Sequence, residues 1–187
     1  PATEDLYAEL VAFGKRHGIL ICNDNPYSFI LNDSPLSILA QPGAKECCLE
    51  LNSLSKAHNM AGWRIGMVAA DAEVISQILK VKSQMDSGMF KPLQLAAVKA
   101  LEQGSEWFTE LNDEYRRRRV LAGAIFDMLG VEYDHSSSGM FLWGKVPQDV
   151  QATEEISIGQ VLSDRILYEA GVFITPGFIF GKNGEDY

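Results

Sequence analysis

The strongest constraint on how this chain folds is the order of its elements: a capped helix, then short apolar runs separated by turns, each run ending in polar residues. Thr3 stands where an N-cap is needed, Glu4 and Asp5 favour a first helical turn, and Leu6, Leu10 and Phe13 keep helical spacing as far as Gly18. Gly18 to Asn23 is then an apolar run of the kind buried in a parallel sheet. A turn-rich stretch follows through Asn32, Asp33, Pro35 and Pro42-Gly43, and further strands are predicted near Cys47 to Leu51 and near Gly66 to Ala70. Helix and strand alternating in this way predict an α/β fold, whose ligands collect outside the carboxyl ends of the strands.

Those strand ends carry chemistry. After the first run comes Asp24-Asn25-Pro26-Tyr27; after the second comes Ser53-Leu54-Ser55-Lys56, followed by Gly62-Trp63-Arg64-Ile65-Gly66. A lysine attacks a carbonyl only as a neutral amine, a form favoured in a water-shielded cavity or beside another cation. A compact hydroxyl such as Ser53 and a planar charged fork such as Arg64, eight residues after Lys56, suit a phosphate. Gly62 would let the backbone come close to whatever the loop encloses. Beside a pyridine nitrogen, a carboxylate such as Asp24 keeps that nitrogen protonated and the ring a stronger electron sink, while the Tyr27 phenol can donate to the ring's 3-oxygen. Taken singly, these strings have bland readings: S-x-S-K with an arginine also describes loop cations, and D-x-x-Y a turn led by its aspartate. Together they point to pyridoxal phosphate held through Lys56.

With D-x-x-Y at Asp24 and Tyr27, S-x-S-K at Ser53 to Lys56 and G-W-R-x-G at Gly62 to Gly66, in order and at similar spacing, the chain resembles the class I and II aminotransferases of the fold-type I pyridoxal phosphate enzymes. The likeness extends over nearly the whole chain, because Gly171 to Gly177, Phe180-Gly181 and Gly184-Glu185 resemble the end of that family's small domain. The resemblance implies a three-layer large-domain portion over residues 1–115 and a small α+β domain over 116–187, with the boundary inside a long bridging helix. It implies Lys56 as the Schiff-base lysine, Asp24, Tyr27, Ser53 and Arg64 as cofactor-binding residues, and an active site completed in a homodimer. Pro1-Ala2-Thr3 resembles the tail of the family's asparagine-proline segment. That asparagine, the phosphate-binding helix start, the aromatic that stacks on the ring and the arginine that grips the substrate carboxylate have no counterpart here. The chain is therefore expected to be the second half of a larger enzyme, truncated at both ends and inactive by itself, and the lack of an initiator methionine agrees.

From Asp71 the pattern turns helical. Val74, Ile75, Ile78, Leu79 and Met85 form one apolar stripe, and a shorter helix after Lys91-Pro92 carries Leu93, Ala96, Ala97, Ala100 and Leu101; both stripes are expected in a core. Ser105 is placed to cap a long helix to Leu129, stopped by Gly130. Beyond a flexible Ser136-Ser137-Ser138-Gly139 segment, the expectation is a strand from Met140 to Val146 with Phe141 and Trp143 in the core. A polar loop from Gln148 to Glu155, a helix from about Ser157 to Ala170 and a strand from Val172 to Thr175 complete it.

At 187 residues and 47% hydrophobic composition, without low-complexity tracts, the chain reads as soluble and globular. Its net charge of −9 and pI near 4.8 argue against nucleic acid and anionic membrane as partners, and no apolar run is long enough to span a bilayer. Arg116 to Arg119 run against that charge, but consecutive helical residues point about 100° apart, which makes them a solvated or interdomain face. Cys22 and the Cys47-Cys48 pair read as free thiols in a reducing compartment, so a cytoplasmic location is expected. His17, His58 and His135 lack metal-ligand spacing, and His58, near Lys56, reads as a packed or solvated loop histidine. The expected reaction moves an amino group between an amino acid and a 2-oxo acid. Another outcome on the same cofactor, such as β-elimination or a synthase step, stays open, as does a non-catalytic cofactor-sensing module.

Overall fold

The computed structural model describes residues 2–153 and 155–187. Pro1, read as part of the asparagine-proline tail, and Glu154 of the polar loop lie outside them. Contacts divide the chain into two compact units, one running to Tyr115 and including Ser138–Met140, the other comprising Arg116–Ser137 and Phe141–Tyr187.

In the first unit, helix α1 (Glu4–His17) begins where the Thr3 hydroxyl accepts the Leu6 N–H at 3.2 Å and ends on Gly18, whose φ of 63° closes the last turn. Strand β1 (Ile21–Asp24) follows, and β2 (Cys48–Ser53) lies parallel to it in the register Ile21↔Cys48 to Asp24↔Leu51. Strand β3 (Gly66–Ala69) returns antiparallel on the other side of β2, pairing Ser53 with Gly66. A Cβ at Gly66 would stand 2.8 Å from the Asn52 carbonyl oxygen, so this position needs glycine for the strands to approach.

The buried strand expected over Gly18 to Asn23 is corrected on two points. It starts at Ile21, because Gly18 serves the helix, and it is buried on one side only. Ile21 packs toward the core that α1 makes with Tyr7 and Val11, against Ile38, Ala44, Cys47 and Cys48, whereas Cys22 points away and is exposed. Glu50 is an unforeseen buried carboxylate at 8% exposure. It accepts from Asn23 Nδ2 at 3.0 Å, Ser37 Oγ at 2.9 Å and the Ile38 N–H at 3.0 Å, which ties the loop after β1 to the middle strand.

Helices α3 (Ala72–Met85) and α4 (Lys91–Leu101) form as expected, with Asp71 capping α3 through a 2.9 Å bond from the Glu73 N–H. The core expectation holds for most of α4, where Leu93, Ala96, Ala97 and Ala100 pack on Leu54, Met60 and Ile65. It fails for Leu101 and, on α3, for Leu79 and Met85, which are exposed, while Val74, Ile75 and Ile78 are half-buried. The reason is physical: amphipathic spacing selects a face but does not supply the surface that covers it. Helix α5 (Ser105–Met128) follows, with Ser105 inside the helix rather than capping it.

In the second unit, Phe126 and Leu129 pack with Val131, Val146, Val150 and Leu162, the last from α6 (Ile158–Ala170). Ser157 caps α6 and Gly171, at φ 68°, ends it. The strand expected from Met140 to Val146 shrinks to β5 (Gly144–Lys145), which pairs antiparallel with β4 (Glu132–Tyr133). No strand forms over Val172 to Thr175. Outside the Gly144–Lys145 pairing neither segment has a strand beside it among the described residues, and an extended segment without one gains no ladder. Phe141 and Trp143 are exposed rather than core residues; Trp143 stacks on Tyr187 with ring centroids 5.2 Å apart. The last residues hold the unit together through bonds from the Val146 N–H to Asp186, the Gly159 N–H to Glu185 and the Gly177 N–H to Tyr187, at 2.9, 3.1 and 2.7 Å.

Candidate functional site

The parallel pairing of β1 and β2 brings the ends of the two motif-bearing runs side by side. Asp24 closes β1 opposite Leu51, and the Asn25 N–H extends the ladder to the Leu51 carbonyl at 2.9 Å. Two residues further along β2, Ser53 caps the single-turn helix α2 (Leu54–Ala57), accepting the Ser55 N–H at 3.1 Å. Its hydroxyl lies 2.9 Å from Ser55 Oγ and 3.3 Å from the Ile65 carbonyl, and its one proton serves one of them at a time. This mobile donor suits an incoming oxygen ligand.

Lys56 projects from α2 and is half-buried. Its Nζ lies 5.8 Å from the centroid of the Tyr27 ring, within cation–π range, although Tyr27 stands in the turn after β1. Asp24 is exposed at its strand end. Arg64 stands in the left-handed region at φ 56°, where the turn Ala61–Trp63 leads into β3 and returns next to Ser53. Its guanidinium donates to the Ala61 carbonyl at 3.0 Å. Lys56 and Tyr27 thus meet, Asp24 and Ser53 share one rim of the sheet, and Arg64 folds back on its own turn. A Cβ at Gly62 would meet nothing within 4 Å, so this turn is open, and the close approach within the protein falls on Gly66.

His58 packs rather than being solvated. Its ring stacks on Trp107 at 6.4 Å and meets the edge of Phe108 at 5.6 Å, and burial lowers its pKa below the usual imidazole range. Among the described residues no partner meets its Nδ1. Sequence reading missed Trp107, whose indole N–H donates to the Ala57 carbonyl at 2.8 Å, and Asn112, which is 9% exposed. Asn112 Nδ2 donates to the Phe29 carbonyl at 3.0 Å while its Oδ1 accepts the Leu31 N–H at 2.7 Å. An asparagine on the apolar face of a helix was the only local signal for it.

The family sequence model described as aminotransferase class I and II matches residues 2–186. The chain belongs to this family. Among relatives, it is similar to the LL-diaminopimelate aminotransferases of Natranaerobius thermophilus, 39% identical, and Aquifex aeolicus, 38% identical; each match covers 100% of this chain and 47% of the relative. The solved apo structure of BacF from Bacillus subtilis superposes with a TM-score of 0.87 at 32% identity, covering 98% of this chain and 46% of that one. The chain thus spans about half the length of the aminotransferases it matches, and its mixed α/β fold is that of their fold-type I architecture.

The site's residues fit the pyridoxal phosphate on which this family depends. They offer a half-buried primary amine against a phenol ring, a carboxylate on the adjoining strand end, two hydrogen-bonded hydroxyls and a guanidinium beside an open glycine turn.

Proposed function

We propose that the full-length protein transfers an amino group between an amino acid and a 2-oxo acid, with pyridoxal phosphate bound at Lys56. The observation that carries this reading is the meeting of Lys56 and Tyr27 at the ends of adjacent parallel strands, in a chain of this family. The bound cofactor supplies an electron sink for charge developing at the substrate α-carbon. Lys56 Nζ would hold the cofactor covalently and, once displaced by the incoming amino acid, would carry the proton from the substrate α-carbon to the cofactor carbon it had held, leaving the amino group with the cofactor. Tyr27 lies against the amine and orients it, and Asp24 offers a negative charge at the pyridine nitrogen. Ser53 and Arg64 would hold the phosphate, the hydroxyl by turning its proton toward it and the guanidinium by giving up its bond to the Ala61 carbonyl.

In this proposal residues 1–115 are the C-terminal part of the large domain and 116–187 the small domain of a cytoplasmic homodimer. The relatives' names make LL-diaminopimelate the first amino donor to assay. Borohydride reduction of the full-length protein loaded with pyridoxal phosphate, followed by peptide mapping, tests the assignment. A pyridoxyl label on Lys56 is expected, and a label on any other residue would overturn it. Release of ammonia with pyruvate, in place of amino transfer, would move the reaction to elimination.

A further inference from the structure

One helix, α5, holds both motif-bearing loops. At the Lys56 loop, α2 is a single turn, and carbonyls at the end of a helix lack partners within it. The Ala57 carbonyl, next in sequence to Lys56, receives the Trp107 indole N–H at 2.8 Å. At the other loop, the chain turns at Tyr27, whose carbonyl accepts the Ile30 N–H at 3.0 Å, and Leu31 is held at φ 48°, a conformation costly for a branched side chain. Asn112 brackets this turn, donating to Phe29 and accepting from Leu31, with Ile30 fully buried between them. Phe108 fills the space between the loops, its ring 5.0 Å from Phe29 on one side and 5.6 Å from His58 on the other. Residues 107, 108 and 112 fall within an arc of about 140° on α5, at about 100° per residue.

We propose that Trp107 and Asn112 are positioning residues: one face of α5 is the common ruler that sets where the Lys56 amine stands relative to the Tyr27 ring. The proposal rests on the assignment of Lys56 and Tyr27 to the cofactor. Neither α5 residue reaches the reacting atoms. Each fixes the backbone adjoining one that does, and an error of about 1 Å in such placement can cost on the order of a hundredfold in rate.

The test uses the full-length protein loaded with pyridoxal phosphate, comparing wild type with Trp107→Phe and Asn112→Leu. Trp107→Phe keeps an aromatic ring and Asn112→Leu a branched side chain of similar length, and both delete the hydrogen bonds. The pH midpoint of the bound cofactor's visible absorbance, which reports the proton shared around the Lys56 nitrogen, is expected to move by about half a pH unit or more in each. With LL-diaminopimelate as donor, kcat is expected to fall by about tenfold while KM changes less than about twofold. If either variant fails to fold, benzothienylalanine at position 107, which replaces the indole N–H with sulfur and preserves the ring shape, is read in the same way. Variants that melt earlier but keep the wild-type midpoint and kcat would overturn the proposal and leave α5 a purely structural support. Borohydride labelling of the wild type separates this outcome from failure of the underlying assignment: a label on Lys56 with an unmoved midpoint sinks only the ruler.

Discussion

His58 shows how a residue beside the site couples to pH without touching the chemistry. Burial against Trp107 and Phe108 opposes its charged form and lowers its pKa in the folded state. As pH falls below the ordinary imidazole value, about 6.5, the unfolded chain takes up this proton and the folded one resists it. The unfolded state then binds more protons, so stability falls with pH from about 6.5 down to the depressed folded value and levels off below it. His58→Phe keeps the ring packing and removes both the titration and an unpartnered nitrogen. Urea unfolding midpoints between about pH 7 and pH 5 should therefore drop less for the variant than for wild type; equal drops would contradict the assignment. The motif residues near His58 were legible because D-x-x-Y and S-x-S-K are contiguous strings whose chemistry is local. Trp107 and Asn112 were not, because their partners lie 50, 81 and 83 positions away. Glu50 stayed hidden for the same reason, its donors arriving from β1 and from the loop at Ser37.

At the scale of elements, the capped helices and the three strands of the first unit were readable, and the strands of the second unit were not. Thr3, Asp71 and Ser157 announce α1, α3 and α6 with a side-chain oxygen at the first turn, and Gly18 and Gly171 end α1 and α6 in the left-handed region. A strand exists only where a partner supplies its ladder, and the expected strands at Met140 to Val146 and Val172 to Thr175 largely lack one. In their place the second unit uses the irregular tail Glu185 to Tyr187, which sits on α6 at a glycine. A Cβ at Gly159 would lie 2.2 Å from the Tyr187 carbonyl oxygen and 3.1 Å from that of Glu185. Gly159 is helical, where alanine is otherwise the better residue by up to about 1 kcal/mol. Gly159→Ala should nevertheless destabilise by about 1–3 kcal/mol, because the tail must move and the Gly159 N–H bond to Glu185 at 3.1 Å is strained or lost. Thermal unfolding measures the change, and a variant more stable than wild type would show that the tail does not bear on α6.

Over the whole molecule, the alternation of helix and strand was enough to read an α/β fold, because it depends on the order of elements rather than on any long-range contact. What burial each face receives was not readable, and α3 and α4 show why. Leu79, Val81 and Met85 on α3, and Phe90, Leu95 and Val98 on or beside α4, are all exposed, a density of large apolar side chains unusual for a solvated surface. For the 187-residue chain this has a measurable consequence. Association driven by such a surface has no ionic component, so added salt should not disperse it. Sedimentation of the chain is expected to show concentration-dependent self-association that persists at high salt, accompanied by enhanced fluorescence of an apolar-surface dye. Charging the surface with Leu79→Glu and Met85→Glu should return the chain toward monomer. Because both side chains are already exposed, the unfolding midpoint should shift by no more than about 0.5 kcal/mol of stability. A wild-type chain that stays monomeric and leaves the dye unchanged, or a double variant that associates as before, would show that this face is not what the molecule presents to solvent.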